Sequence, residues 1–126
     1  MSVPAEVEDL ISGARLSAHV ATSVDDRPHV APVWYLYDES VLSFVTSGRK
    51  LENVRRNPRV AVSIERVTEG SVDWSVTLLG TASVVEDRER VAPVAERIFE
   101  KYDSDGEYPF QPLVEVEVGS ASAQVY

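Results

Sequence analysis

The chain has 126 residues and a mass of 13.9 kDa, enough for one domain (1–126) with a real core and too little for two. Its 44% hydrophobic residues argue against disorder, and no apolar run approaches the ~20 residues of a membrane-spanning helix. The absence of cysteine excludes disulfides, thiol catalysis and thiolate metal sites, while 12 basic against 21 acidic residues leave a net charge of -9 that repels nucleic acid and anionic membrane.

The opening MSVPAEVEDL is acidic and lacks an apolar signal core, so the cytoplasm is the expected location. A short amphipathic helix is predicted from residue 4 to about 12, with Val7, Leu10 and Ile11 on one face, Ser2 as N-cap and Gly13 just past its end. A strand follows from residue 16 to 24, where Leu16, Ala18, Val20, Thr22 and Val24 alternate with His19 and smaller residues. After a turn at residues 25–28, a second strand is predicted from 29 to 37, and a third from 41 to 46. Ser47-Gly48 opens a short helix to about Asn57, which Pro58 stops.

The alternation of Val60, Val62 and Ile64 predicts the next strand, and a long one runs from 72 to 85 with Gly80 as a bulge or close approach. Apolar residues at Val91, Val94, Ala95, Ile98, Phe99 and Tyr102 have helical spacing; Pro93 moves the expected helix start to near Ala92. The last strand is read over residues 114–118. Six strands joined mostly by tight turns predict an antiparallel, mainly β barrel with short flanking helices.

The second strand is unusual because both of its faces are apolar, with Val30, Pro32, Trp34 and Leu36 on one and Ala31, Val33, Tyr35 and Tyr37 beside His29 on the other. A small chain that hides both faces of a strand needs a cover, either a second subunit or a flat apolar ligand. Pro32 cannot donate to a ladder, so pairing is expected to break there.

Half of the cations lie in residues 49–66, a local +4. Arg55, Arg56, Arg59 and Arg66 suit surface pairing with the acidic remainder. Arg49 and Lys50 sit in a different context, because Thr46-Ser47-Gly48-Arg49-Lys50 passes from a strand end into a helix N-terminus. Free amides, two hydroxyls and two cations there favour a phosphate, although ordinary capping by Ser47 would use the same residues. The spacing is not that of a P-loop. The two histidines, His19 and His29, make no dedicated zinc site, and no nucleophile elbow or catalytic dyad occurs. The aromatic residues, among them Tyr102 and Tyr108, read first as core. An enzyme built this way draws its reactivity from a cofactor.

Residues 27–35 (RPHVAPVWY), 45–50 (VTSGRK), Asn53, 57–62 (NPRVAV) and 76–82 (VTLLGTA), in that order, resemble the pyridoxamine 5'-phosphate oxidase-like FMN-binding split β-barrel family. The resemblance implies a homodimer of six-stranded split barrels with flavins at the subunit interface. On it, His29, Val30, Ala31, Pro32, Val33 and Trp34 lie along the flavin ring, Val45 and Thr46 match a cofactor-binding tyrosine-threonine pair, and Arg49 and Lys50, with Thr46 and Ser47, hold the phosphate. The resemblance also implies that the position of Ser75 reaches the cofactor from the opposite subunit, which makes Trp74 and Ser75 candidate contacts across the dimer. Two departures stand out: Trp34 occupies the position of a lysine in the true oxidases, and the chain's last residues lack their Arg-x-His. Vitamin-phosphate oxidation is therefore not the expected activity.

The chain is closer to the short members, which use FMN or an 8-hydroxy-5-deazaflavin coenzyme. The expected function is a flavin- or deazaflavin-dependent oxidoreductase acting on a small-molecule redox substrate. The alternatives are a non-enzymatic FMN electron carrier or redox sensor and, third, a dimeric interaction module that has lost its cofactor.

Overall fold

The computed structural model describes residues 3–105 and 107–126; Ser2 as a helix cap lies outside them. In chain order the elements are α1 (Ala5–Ile11), β1 (Ala18–Val24), β2 (Arg27–Val33), β3 (Leu36–Asp38), β4 (Val41–Val45), α2 (Arg49–Arg56), β5 (Arg59–Thr68), β6 (Ser71–Val85), α3 (Arg88–Lys101) and β7 (Leu113–Val125). The strands form one antiparallel sheet in the order β2-β1-β5-β6-β7-β4-β3.

The strand predicted over residues 29–37 is in fact two, which makes seven strands rather than six. β2 and β3 lie at opposite edges of the sheet, yet only Trp34 and Tyr35 separate them. Three Cα steps span at most roughly 11 Å, so the sheet must curl until its edges nearly meet. The edges do not pair with each other, and the barrel is split along that seam. Pro32 does not break its ladder either; it stays in register opposite His19, tolerated because β2 is an edge strand.

Tight turns enforce the hairpins. Asp25-Asp26, Glu39-Ser40 and Glu69-Gly70 are each a pair of left-handed residues, the backbone whose twist matches two-residue hairpins. Val20, Val62, Ile64, Val76, Leu78, Leu42, Phe44, Val114 and Val116 fill the barrel, and Val7 and Ile11 of α1 join the same core. A smaller cluster of Val85, Val91 and Leu113 seats α3.

α3 begins at Arg88 rather than near Ala92. Asp87 caps it, its Oδ1 accepting from the Glu89 amide at 3.0 Å and its carbonyl from the Arg90 and Val91 amides. That cap and the burial of Val91 outweigh the bond Pro93 cannot make. β7 outruns its predicted end because long-range pairing with β6, as far as Trp74 opposite Val125, overrides the weak strand preference of its small residues. Gly13 does not adopt a left-handed conformation, so α1 ends without the glycine stop expected of it.

Gly80 is the expected close approach: the β6–β7 register shifts there, and a Cβ would lie 2.5 Å from the Glu117 carbonyl oxygen and 2.7 Å from Val116 Cγ1. Gly80→Ala is expected to lower stability by about 1–3 kcal/mol, whereas Gly119→Ala, with its nearest atom at 3.7 Å, should be nearly neutral. Urea denaturation of both variants checks this; equal midpoints would remove the steric account.

Candidate functional site

The seam between β2 and β3 leaves the peptide groups of the crossover without a ladder, and α3 supplies partners for them. The Tyr35 amide donates to Tyr102 Oη at 3.1 Å, and Lys101 Nζ donates to the Tyr35 carbonyl at 3.0 Å. Tyr102 Oη in turn donates to the Leu16 carbonyl at 2.7 Å. The fully buried Tyr35 ring carries its hydroxyl to the Ile11 carbonyl at 2.6 Å, tying the crossover to the end of α1. These bonds turn Trp34 outward, where its indole stacks on the Tyr102 ring at 5.0 Å and 9°.

Beside that indole opens a recess of about 310 Å³. Pro32, Val33 and Trp34 form one wall, Val45, Thr46, Ser47 and Lys50 another, and Ile98, Phe99, Tyr108 and Gln111 close it. β4 ends at Val45, and Gly48 at φ 72° turns the chain into α2. α2 has no side-chain cap and its first intrahelical bond runs from the Glu52 amide to the Gly48 carbonyl, so the amides of Arg49, Lys50 and Leu51 are open. Ser47 does not cap the helix; its Oγ accepts from Gln111 Nε2 at 3.1 Å.

Asn53 and Asn57, one turn apart, anchor α2 to β1 by donating to Thr22 Oγ1 at 3.0 Å and to the Ser23 carbonyl at 2.8 Å. Leu51 and Val54 bury the same side.

Arg49 and Lys50 do not share a wall. Adjacent helical residues point about 100° apart, so Lys50 lines the recess beside Trp34 while Arg49 lines a smaller one of about 170 Å³ with Arg27, His29, Asn53 and Arg56. Among the described residues neither cation forms an ion pair, in contrast to Arg55 with Glu86 at 2.6 Å and Arg56 with Asp25 at 3.1 Å. His29 Nδ1, at the smaller recess, is buried without a hydrogen-bond partner.

Of the other residues singled out by sequence, Val30 points outward and is 63% exposed, and Ala31 is half-buried opposite Val20. Trp74 is packed in the core, and Ser75 is half-buried near the far end of β6; neither lines the recesses of its own chain. A roomier concavity, about 690 Å³, lies elsewhere along Ala21, Ala61, Leu79 and Gly80, and Arg59 is the one charged residue among those that line it. Among the described residues no group of His, Asp or Glu is arranged to hold a metal, and no helix is long and apolar enough to cross a membrane.

Sequence reasoning missed Lys101 and the roles of Tyr102, Phe99, Tyr108 and Gln111. One signal was present: Lys50 and Lys101 are the only lysines of the chain, and both stand at the crossover or its recess.

A family model described as pyridoxamine 5'-phosphate oxidase matches residues 4–124. No curated protein matches. Among solved structures, the chain is similar to an F420 reductase (24% identity, TM-score 0.74, 91% of this chain and 94% of that one). It is also similar to a FAD-binding protein from Mesorhizobium loti (21%, TM-score 0.77, 98% and 95%) and to one from Mycobacterium smegmatis (23%, TM-score 0.69, 100% and 99%). At these identities the likeness carries the fold: a mainly β antiparallel split barrel.

Burial lowers the Lys101 ammonium from 10.5 to about 8, although the Tyr35 ring 3.5 Å from Nζ favours the charge. The folded chain therefore releases, from about pH 8 upward, a proton that the unfolded chain holds to about 10.5. Stability relative to Lys101→Met should rise with pH across that window and stay flat below it. Taking the difference cancels the tyrosines, whose raised folded pKa values erode stability above pH 10 in both proteins. Parallel urea titrations test this, and a flat difference would contradict it.

Proposed function

Because this chain belongs to the pyridoxamine 5'-phosphate oxidase family, we propose that it is a flavin-dependent oxidoreductase that binds FMN, or alternatively an 8-hydroxy-5-deazaflavin coenzyme. The observation that carries the reading is the recess itself: a flat apolar wall at Pro32, Val33 and Trp34 faces an uncapped helix N-terminus with Thr46, Ser47 and Lys50.

The donor set fits such a ligand. Open amides, a hydroxyl and an ammonium suit a phosphate. Arg49 adds donors on the other side of the same helix end, in the recess where His29 Nδ1 lies buried without a partner among the described residues. The bound cofactor would supply hydride or electron transfer at its ring. The chain's own residues would grip the phosphate, hold the ring against the β2 end and keep water from it. The similar proteins described as an F420 reductase and as FAD-binding support a flavin-type ligand.

Among the described residues that line the recess there is no carboxylate and no histidine. That scarcity of acid and base groups favours a second reading, a non-enzymatic FMN electron carrier. NAD(P)H oxidation with a panel of acceptors separates the two, since a carrier would show no selectivity among them.

The working unit is a cytoplasmic homodimer, without nucleic acid or membrane as partner. Val30 at 63% and Leu79 at 53% exposure are apolar side chains that a second subunit would cover, and Ser75, next to the core-packed Trp74, would meet the partner's cofactor. Sedimentation equilibrium should give twice the chain mass, and a monomer at micromolar concentration would contradict the dimer.

Lys50→Ala is expected to weaken FMN or deazaflavin binding by about 1–3 kcal/mol, the range for a charge-assisted hydrogen bond. Fluorescence titration checks this, and an unchanged affinity for both cofactors counts against the assignment.

A further inference from the structure

A second chamber, of about 410 Å³, adjoins the recess. On one side it is lined by Arg88, Val91, Ala92, Ala95, Glu96 and Phe99, the successive positions of one face of α3. The other side is the segment before β7, which lies on α3 through Tyr108 against Phe99 at 4.7 Å and Phe110 beneath the Arg88 guanidinium at 4.1 Å. The chamber and the recess share Val45, Phe99, Tyr108 and Gln111 as common walls. Tyr108 and Phe110 are 50% and 38% exposed, a large aromatic surface left open at the mouth.

The charges on this face are ordered. Arg88 makes no ion pair among the described residues, and its stacking on Phe110 holds the guanidinium at one end of the chamber. Glu96 lies eight residues further along α3, about 12 Å by the helical rise and beyond the screening length of ~8–10 Å. A carboxylate is thus attracted at the Arg88 end and repelled at the other, so an acid has one favourable orientation. Between the two charges the α3 wall consists of Val91, Ala92 and Ala95, all apolar.

We propose that this chamber is the substrate side of the recess and takes a flat, apolar monocarboxylate, its acid group on Arg88 and its apolar end toward Phe99 and Val45. The word substrate rests on the flavin reading above; the ligand chemistry of the chamber does not.

Cofactor-free protein titrated with 2-naphthoate and followed by amide NMR should shift residues 88–99 and 108–111. Binding should be about tenfold or more tighter than that of 2-naphthylmethylamine, the scale of a charge-assisted hydrogen bond. Arg88→Gln, at an exposed position, should erase that preference, and Ala95→Leu should weaken both probes by filling the space. Equal binding of the two probes, an unchanged preference in Arg88→Gln, or shifts confined to other residues overturns the chamber. Failure to bind either FMN or the 8-hydroxy-5-deazaflavin coenzyme, with naphthoate binding intact, overturns the flavin reading alone. With FMN bound, naphthoate should perturb the flavin's visible band; an unperturbed band with the chamber filled overturns its place on the substrate side.

Discussion

Two peptide bonds hold this architecture together. The chain passes from one edge of the sheet to the other through Trp34 and Tyr35, and no ladder satisfies the amide and carbonyl of Tyr35 there. An unpaired buried peptide group costs about 1–3 kcal/mol. Tyr102 and Lys101, at the end of α3, supply both missing partners, while the Tyr35 hydroxyl fastens the end of α1. Two helices far apart in sequence, α1 and α3, are thus locked to one residue.

That lock also shapes the site. Tying down Tyr35 leaves Trp34 with its indole on Tyr102, and the stacked pair stands next to the helix end that carries Lys50. Asn53 and Asn57 hold α2 to β1, so the helix end and the strand wall keep a common frame. Because consecutive helical residues diverge, the two cations at 49 and 50 serve two recesses on either side of that helix end rather than one. The apolar face of α3 extends the larger recess into a second chamber.

Much of this was legible in the chain. Alternation placed β1, β5 and β6, the Thr46–Lys50 run marked a strand passing into a helix, and Gly80 stood out inside a strand. The split of the second strand was not legible, because Val33 to Leu36 is an unbroken apolar run and nothing local distinguishes a strand from a crossover. The start of α3 was misplaced because the proline penalty is a local quantity, whereas the Asp87 cap and the burial of Val91 depend on what lies around them.

The sequence by itself determined the mainly β class, the hairpin turns and the residue types gathered at the strand–helix junction, since these follow from periodicity and backbone preference within a few residues. Only the tertiary structure decided that the seam of the split barrel falls at Trp34 and Tyr35, that Lys50 and Arg49 line different recesses, and that Lys101 and Tyr102 complete the backbone of Tyr35. The Tyr35 bonds reach across more than 60 residues, and the seam and the recess walls depend on the sheet's curvature and on where elements distant in the chain come together.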